Sequence, residues 1–117
     1  LYAVELKASG SLIGLIGFHW ADFNAEFTPC VEIGWRLVPE AWGHGYAVEG
    51  AKACLEQGFS CLGFNRVYSF TACVNLPSEA VMLRAGMRKT AEFNHPGVAP
   101  DSVLYPHVLY VKEARKQ

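Results

Sequence analysis

The chain has 117 residues, of which 51% are hydrophobic and 18% charged, which suits one domain (1–117) with one core and leaves too few residues for two. Ten Lys plus Arg stand against eleven Asp plus Glu without a run of like charge, so the sequence carries no electrostatic footprint for nucleic acid or an anionic membrane. Small molecules or peptides are therefore the expected partners.

The first part of the chain predicts three strands. Leu1–Lys7 and Leu12–Trp20 are β-branched and aromatic runs joined at Ala8–Ser11, which is a hairpin signal. Cys30–Val38 then alternates between two faces. The apolar face holds Val31, Ile33, Trp35 and Leu37, and the other face holds Glu32, Gly34 and Arg36. Glu32 is therefore expected to point away from the apolar face.

The second part predicts two helices and three strands. From Gly45 the apolar period becomes helical, and Gly63 ends the helix. The apolar stripe of this helix holds Val48, Ala51, Leu55, Phe59 and Leu62. The later elements are strand Arg66–Ala72, helix Leu76–Ala85, strand Met87–Asn94 and strand Val103–Val111. This order predicts an α+β (mixed α/β) fold with a mixed, mostly antiparallel sheet and a central β-α-β crossover.

The stretch PEAWGHGYA (39–47) lies where a strand ends and the first helix begins. Gly43 and Gly45 permit unusual backbone dihedrals, and the helix start lacks a Ser, Thr, Asp or Asn cap. Uncapped N–H groups at the positive end of a helix suit a phosphate or pyrophosphate, and the alternative is a tight turn whose amides bind water. A P-loop is excluded because no Lys-Ser/Thr pair follows Gly45, and the dinucleotide-binding pattern fails because Val48 occupies the place of its third glycine.

Two long runs of this sequence resemble a known family. They are VEIGWRLVPEAWGHGYAVEGAKACLEQGF and NRVYSFTACVNLPSEAVMLRAGM, and together with the later FNHP and HVLY segments they resemble the acetyl-CoA-binding core of GNAT-superfamily N-acetyltransferases. They are most similar to the branch that includes the ribosomal-protein N-terminal acetyltransferases. The resemblance implies transfer of an acetyl group from acetyl-CoA, the cosubstrate, to a primary amine of a protein or peptide N-terminus or of a small molecule. The family also has a strand and two helices before the part matched by Leu1, so we expect a GNAT-like domain that is N-terminally truncated.

The resemblance also implies where acetyl-CoA binds. In the family, loop amides hold the pyrophosphate, and the strand before the loop parts from the next parallel strand and pairs with pantetheine. The corresponding loop residues are Gly43, His44, Gly45, Tyr46 and Ala47, and the strand residues are Leu37 and Val38. Glu40 departs from the family pattern, which has Gln or Arg there. Arg84 either meets the ribose phosphate or is a solvated surface charge.

Glu32 matches the acidic residue that this branch uses as a general base, directly or through water. The alternative is an exposed strand carboxylate or an ion-pair partner of Arg36. A peptide α-amine, with a pKa near 8, is about 10% neutral at pH 7, whereas a lysine amine is neutral at roughly 0.04%. A modest base therefore suffices for an α-amine.

Asn75 and Ser78, at the start of the second helix, have two possible roles. From local sequence they are a helix cap and a polar residue of the first turn. The resemblance instead directs Asn75 toward the pantetheine or acetyl region and places Ser78 near the sulfur, where it could help protonate the departing thiolate. His19, His95 and His107 are further candidates for substrate contact or base catalysis, with ordinary hydrogen-bonded histidines as the alternative.

The four cysteines (Cys30, Cys54, Cys61 and Cys73) contain no C-x-x-C pair, and with the histidines they match no zinc spacing. Cys54 and Cys61 would lie roughly 10.5 Å apart along one helix, beyond the ~7 Å reach of a disulfide. We expect four buried reduced thiols and no metal site. No apolar run approaches the roughly 20 residues of a membrane span, and LYAVELKASG lacks a signal-peptide pattern, so we also expect a cytoplasmic protein.

The first strand, Leu1–Lys7, is expected at or near a sheet edge, because the family's preceding elements would otherwise cover that region. Such an edge pairs readily with a second chain, so we expect a homodimer. Two alternatives to an acetyltransferase stay open at this point: an acyl-CoA-binding module without turnover, and a dimerising structural remnant.

Overall fold

A computed structural model describes residues 2–5, 10 and 12–114. In this part of the chain, six strands and two α-helices follow one another in the predicted order. Their bounds are β1 Tyr2–Glu5, β2 Leu12–Ala21, β3 Cys30–Leu37, α1 Tyr46–Ser60, β4 Arg66–Ala72, α2 Leu76–Arg84, β5 Arg88–Asn94 and β6 Pro106–Glu113. A 3₁₀ turn, Pro39–Ala41, lies between β3 and α1. The predicted turn at Ala8–Ser11 lies outside the described residues except for Gly10.

The strands form one sheet in the order β1-β2-β3-β4-β6-β5. All neighbouring strands are antiparallel except β3 and β4, which are parallel because the chain crosses between them through α1. The predicted mixed, mostly antiparallel sheet with a central crossover is confirmed. β1 lies at one edge of this sheet, as predicted for the first strand. No helix among the described residues has the length and apolarity needed to cross a bilayer.

Both helices pack on the same face of the sheet and form the core with it. Gly50 of α1 lies so close to Ile16 that a Cβ would fall 2.4 Å from the Ile16 side chain. Lys112 of β6 donates to the carbonyl of Ala85, just after α2, at 3.2 Å. The core cluster contains Ile16, Ile33, Ala51, Cys54, Leu55, Val67, Met82, Ala85, Met87, Val108 and Tyr110. Because a fully buried large apolar side chain contributes about 1.5–3 kcal/mol, this cluster is the main source of stability.

The opposite face of the sheet is covered by a loop instead of a helix. Residues 22–29, between β2 and β3, bring Phe23 and Phe27 against rings from β4 and β5. We call the resulting set the aromatic cluster. It contains Phe23, Phe27, Tyr68, Phe70, Phe93, His95 and His107. His107 is buried in this cluster, and the other six are half-buried.

Helix α1 ends before the predicted apolar stripe does. Leu62 was expected on that stripe, but it lies beyond the helix and is 49% exposed. Its N–H donates to the carbonyl of Gln57 at 3.2 Å in a closing turn, and Gly63 then takes a φ of 74°. A left-handed residue cannot continue a right-handed helix, so the chain turns away before Leu62 can reach the core.

The prediction that the last strand begins at Val103 is wrong. Residues 103–105 belong to turns, in which the N–H of Tyr105 donates to the Ser102 carbonyl and the N–H of Leu104 donates to the Ser102 hydroxyl, both at 3.1 Å. β6 therefore begins at Pro106. The apolar run Val103–Leu104 resembles a strand, but local hydrogen bonds to a serine stabilise turns instead.

The prediction of four buried thiols is correct for only two cysteines. All four are free thiols, and Cys30 and Cys54 are buried. Cys61 is exposed because it follows the last turn of α1, and Cys73 is half-buried because it follows the end of β4.

Candidate active site

Strands β3 and β4 are paired at one end and separate at the other. Their one register pair among the described residues joins Glu32 to Tyr68. One residue further on, the buried hydroxyl of Ser69 in β4 donates to the carbonyl of Ile33 in β3 at 2.9 Å. Beyond Ile33, β3 is paired with β2 alone. An opening therefore forms between the two parallel strands, as the resemblance implied.

A groove of about 450 Å³ lies at this opening, on the side of the sheet that carries the helices. Its walls come from the end of β3, the loop before α1, and the first turns of α1 and α2. The predicted residues that line it are Leu37, Gly43, Gly45, Tyr46, Ala47, Asn75 and Ser78, and Arg84 lines it too. Val38 and His44 are not among its lining residues: Val38 is exposed, and the ring of His44 stacks on Tyr46 with 5.3 Å between centroids.

The glycine loop explains why the start of α1 has no side-chain cap. Gly43 and Gly45 have φ values of 80° and 78°, and Gly45 is the N-cap residue without a side-chain hydrogen bond. A Cβ on either glycine would meet no atom within 4 Å, so the dihedral angle, not crowding, requires glycine. The glycines thus make the tight turn, and that turn leaves uncapped amides of the first helical turn beside open space.

The start of α2 is capped in the ordinary way and also lines the groove. The side chain of Asn75 accepts a hydrogen bond from the N–H of Ser78 at 3.3 Å. This confirms the cap predicted from local sequence. Because both residues line the groove, the capping role is compatible with the role that the resemblance implies for each of them.

Trp42 is a groove residue that the sequence interpretation did not single out. Its indole Nε1–H donates to the carbonyl of Leu37 at 3.0 Å, and its ring is 63% exposed. Leu37 is one of the residues predicted to pair with pantetheine, so the indole occupies an acceptor that such a ligand needs. The position of Trp42 directly before Gly43 was the available signal, because an aromatic residue beside a loop that is predicted to bind an anion is well placed to contact a ligand.

A second cavity, of about 610 Å³, lies on the opposite side of the sheet. Its polar lining residues are His19, Asp22, Glu32, Arg36 and His95, and its other lining residues include Leu15, Trp20, Phe23, Gly34, Trp35 and Phe70. Trp35 and Arg36 line both this cavity and the groove. The two sites therefore adjoin at the place where β3 parts from β4. Glu32 belongs to the second site, which we call the Glu32 cavity.

Glu32 is a half-buried carboxyl group without an ion-pair partner among the described residues. Its cross-strand neighbour is His19, and the ion pairs of the described chain join Glu113 to Arg66 and Arg88, and Lys89 to Glu92. Burial raises the pKa of Glu32 from 4.5 to about 7. The alternatives of an exposed carboxylate and of an ion pair with Arg36 are therefore wrong. A carboxyl group that titrates near neutral pH can accept a proton from an amine.

The raised pKa of Glu32 predicts a specific pH dependence of stability. Between pH 4.5 and about 7 the folded chain holds a proton that the unfolded chain has released, so the free energy of unfolding falls as pH rises through this window. The full effect is up to about 3 kcal/mol. Glu32→Gln is expected to match the wild-type stability at pH 4 and to exceed it at pH 8, measured as denaturant midpoints. The exposed Glu26→Gln is the control, and parallel curves for wild type and Glu32→Gln would contradict the assignment.

A mixed sheet that opens between two parallel strands, with a glycine loop on one side and a half-buried carboxyl group on the other, is the architecture of an acetyltransferase. The family model described as "Acetyltransferase (GNAT) domain" matches residues 1–88. This match covers well over half of the chain, and the chain therefore belongs to the GNAT acetyltransferase family.

Individual relatives agree with this assignment. The chain is 33% identical over 88 residues to the uncharacterized N-acetyltransferase YoaA and 37% identical over 92 residues to the uncharacterized N-acetyltransferase YnaD, both of Bacillus subtilis. These matches cover 75% and 79% of this chain, and 48% and 52% of the relatives. It is 34% identical over 84 residues to the FsC-acetyl coenzyme A-N(2)-transacetylase of Aspergillus fumigatus, covering 67% of this chain and 36% of that protein. The chain thus spans about half or less of the length of these relatives.

The fold is also similar to that of solved GNAT enzymes. A GNAT-family acetyltransferase from Bacillus anthracis superposes with a TM-score of 0.76 at 29% identity, covering 95% of this chain and 64% of that one. A ribosomal-protein-S5-alanine acetyltransferase from Vibrio fischeri has the same TM-score at 18% identity, covering 95% of this chain and 59% of that one, which shows a likeness of fold alone. The predicted closeness to the ribosomal-protein branch is not tested by this likeness.

Proposed function

We propose that the chain forms the acetyl-transfer core of an N-acetyltransferase, which moves an acetyl group from acetyl-CoA to a primary amine. The observation that carries this proposal is the meeting of two cavities at Trp35 and Arg36, with the glycine loop in one and Glu32 in the other. Two substrates that enter from opposite faces of the sheet can meet in the opening between β3 and β4. Membership of the GNAT family supports the same reaction.

On the donor side, acetyl-CoA supplies a thioester, which is an activated acetyl group. The amides of residues 43–47 would hold its pyrophosphate, because uncapped N–H groups at a helix start attract anions. Pantetheine would pair with the backbone of Leu37 in place of the Trp42 indole, whereas the N–H and carbonyl of Val38 are already bonded to Ile13 and Ala41. Arg84 would provide a positive charge at the groove wall. The name of the Aspergillus fumigatus relative, an acetyl coenzyme A transacetylase, supports this choice of donor.

On the acceptor side, Glu32 would take a proton from the ammonium form of the amine. The neutral amine nitrogen then attacks the thioester carbonyl, a C–N bond forms, the C–S bond breaks, and the sulfur leaves as a thiolate. The nitrogen loses a second proton as the amide forms, and Ser78, which lines the groove, could relay that proton to the sulfur so that coenzyme A leaves as the thiol. A base with a pKa of about 7 suits this role at neutral pH, because it is substantially ionised and still binds a proton. His19, the cross-strand neighbour of Glu32, is the alternative base.

Acetyl-CoA is expected to stabilise the folded chain. At a ligand concentration of one hundred times Kd the free energy of unfolding should rise by about 2.7 kcal/mol, because the ligand binds only the folded state. The measurement is a thermal shift with acetyl-CoA, beside inorganic pyrophosphate as a weaker control ligand. A folded sample that shows no shift at millimolar acetyl-CoA would exclude the donor site.

The second candidate function is an acyl-CoA-binding module without turnover. It is favoured by the start of α1, whose uncapped amides beside the groove suit an anion without requiring any turnover. Thiol release from acetyl-CoA with a panel of amines and peptides separates the candidates. Turnover selects the transferase, binding alone selects the module, and neither selects a structural remnant. A peptide N-terminus as acceptor and a cytoplasmic location stay predictions.

Self-association is expected through the edge of the sheet. β1 is the edge strand of the described sheet, and Leu12 and Leu15 of the neighbouring β2 are exposed. A homodimer with twice the monomer mass of 12.9 kDa is expected by light scattering across a concentration series. Ala3→Pro, which removes a backbone donor from this edge, should shift the chain to the monomer. A wild-type chain that stays monomeric at all concentrations would contradict the dimer.

A further inference from the structure

The Glu32 cavity has an aromatic wall that acetyl transfer by itself does not require. Three members of the aromatic cluster line it, namely Phe23, Phe70 and His95. The centroid of Phe23 lies 4.4 Å from that of His95 and 5.4 Å from that of Phe70. Burial, and then the neighbouring His107, lower the pKa of His95, which favours the neutral form of its ring. The wall is therefore made of three uncharged rings.

The aromatic wall is held in place from behind. Phe27 contacts the rings of Phe23, Phe70 and Phe93, and His107 contacts those of Phe70, Phe93 and His95. Side chains that pack against several neighbours have few rotamers available, so little conformational entropy is lost when a ligand binds them. A preformed apolar wall of this kind favours a rigid, flat ligand group.

We infer that the amine acceptor carries an aromatic ring two or three atoms from its primary amine, with the ring packed against Phe23, Phe70 and His95 and the amine at Glu32. This inference rests on the proposed function and specifies its substrate class. Free arylalkylamines and peptides that begin with an aromatic residue both have this arrangement of an aromatic ring and a primary amine.

The spacing within the cavity fits this acceptor. Phe70 lies two residues beyond Tyr68, the register partner of Glu32, so the Cα atoms of Glu32 and Phe70 are roughly 8 Å apart for a strand spacing of about 4.8 Å and a rise of about 3.3 Å per residue. Gly34 lies between Glu32 and Arg36 on the same strand face, and a Cβ there would meet only the His19 ring, at 3.8 Å. No side chain at position 34 therefore separates the carboxyl group from the rings.

The charges in the cavity disfavour a polyamine acceptor. Its carboxyl groups are those of Asp22 and Glu32, and Arg36 balances one of them. No cation among the described residues forms an ion pair with Glu32, and burial leaves its pKa near 7. A polyamine needs several ionised carboxylates for its additional charges, whereas a monoamine needs only one. The cavity thus offers one proton acceptor and a large aromatic surface.

The test compares acceptors that differ in one property. Phenethylamine, 2-cyclohexylethylamine, n-butylamine, spermidine and a short peptide with N-terminal Phe are assayed by thiol release from acetyl-CoA, and their direct binding to the CoA-saturated chain is measured by calorimetry. We expect a preference of about tenfold for phenethylamine over cyclohexylethylamine, since aromatic pairs contribute about 0.5–1.5 kcal/mol beyond the area they bury. The peptide arm separates free arylalkylamines from aromatic N-termini.

Two leucine variants in the loop between β2 and β3 test whether the preference depends on the aromatic wall. Phe23→Leu removes a ring that lines the cavity, and Phe27→Leu removes a ring of the same cluster that does not. Phe23→Leu is expected to abolish the preference for phenethylamine, whereas Phe27→Leu, which only loosens the support behind Phe23 and Phe70, is expected to reduce it less. Phe23→Tyr is expected to keep the preference and guards against misfolding. Equal loss in both leucine variants, or an acceptor order led by spermidine or n-butylamine, would overturn the inference while acetyl-CoA binding stands. Failure of acetyl-CoA binding would instead overturn the proposed function.

Discussion

Glu32→Gln is expected to lower the rate of acetyl transfer near neutral pH by about 10²- to 10⁴-fold, which is the typical contribution of a positioned general base. The amide keeps the size of the carboxyl group but cannot accept the ammonium proton. The change lies in the Glu32 cavity and outside the groove, so acetyl-CoA affinity should stay within a few-fold of wild type. Initial rates of thiol release and calorimetric affinity measure the two effects separately.

The pH profile decides whether Glu32 is the base. The wild-type rate should rise as pH increases through about 7, because the raised pKa keeps Glu32 protonated below that value. The Glu32→Gln variant should lose this rise, and Glu26→Gln, an exposed change in the loop between β2 and β3, should retain it. An unchanged rate and profile in Glu32→Gln would remove Glu32 from the mechanism and direct attention to His19.

Gly45→Val is expected to weaken acetyl-CoA binding by roughly 10- to 100-fold, since each charge-assisted hydrogen bond that is lost costs about 1.5–3 kcal/mol. The valine side chain would enter the open space above the uncapped amides, where the pyrophosphate would bind. The φ of 78° also makes valine strained at this position, so folding is destabilised as well, by about 1–2 kcal/mol or more. Binding and stability must therefore be separated.

Gly63→Val provides the matched control. Gly63 has a φ of 74°, and a Cβ there would also meet no atom within 4 Å, so the backbone strain is equivalent. It follows α1 and lines neither cavity. Both variants should lose similar stability in denaturant, and only Gly45→Val should lose calorimetric affinity for acetyl-CoA. Equal affinities of the two variants for acetyl-CoA would show that Gly45 is only a turn residue.

The order of the strands and helices could be predicted from the sequence, and so could the core-facing sides of β3 and α1. Alternation in β3 placed Ile33 in the core and Glu32 on the opposite face, and the helical period of α1 identified Ala51 and Leu55 as core residues. These predictions succeeded because side-chain direction in a strand or helix follows directly from backbone period. The glycine loop was recognisable for a similar reason, since a helix start without a polar cap is a local feature.

Other predictions failed where a local turn or short-range hydrogen bonds outweighed the apolar pattern. Leu62 lies outside α1 because Gly63 turns the chain, and Val103 lies in turns stabilised by Ser102. Cys61 is exposed for the same reason as Leu62, since it lies beyond the last helical turn. Apolar character alone does not distinguish a core residue from an apolar residue that lies in a turn and is exposed.

By itself, the sequence determined the α+β element order, the alternation of β3 and the uncapped helix start, all of which depend on neighbours within a few residues. Only the tertiary structure decided that β3 parts from β4 beyond Ser69, so that two cavities adjoin at Trp35 and Arg36. It also decided that Glu32 is half-buried and that the loop carrying Phe23 lies across the same sheet face. These features arise from contacts between segments far apart in the chain, because desolvation and ring packing depend on what surrounds a side chain and not on its sequence neighbours.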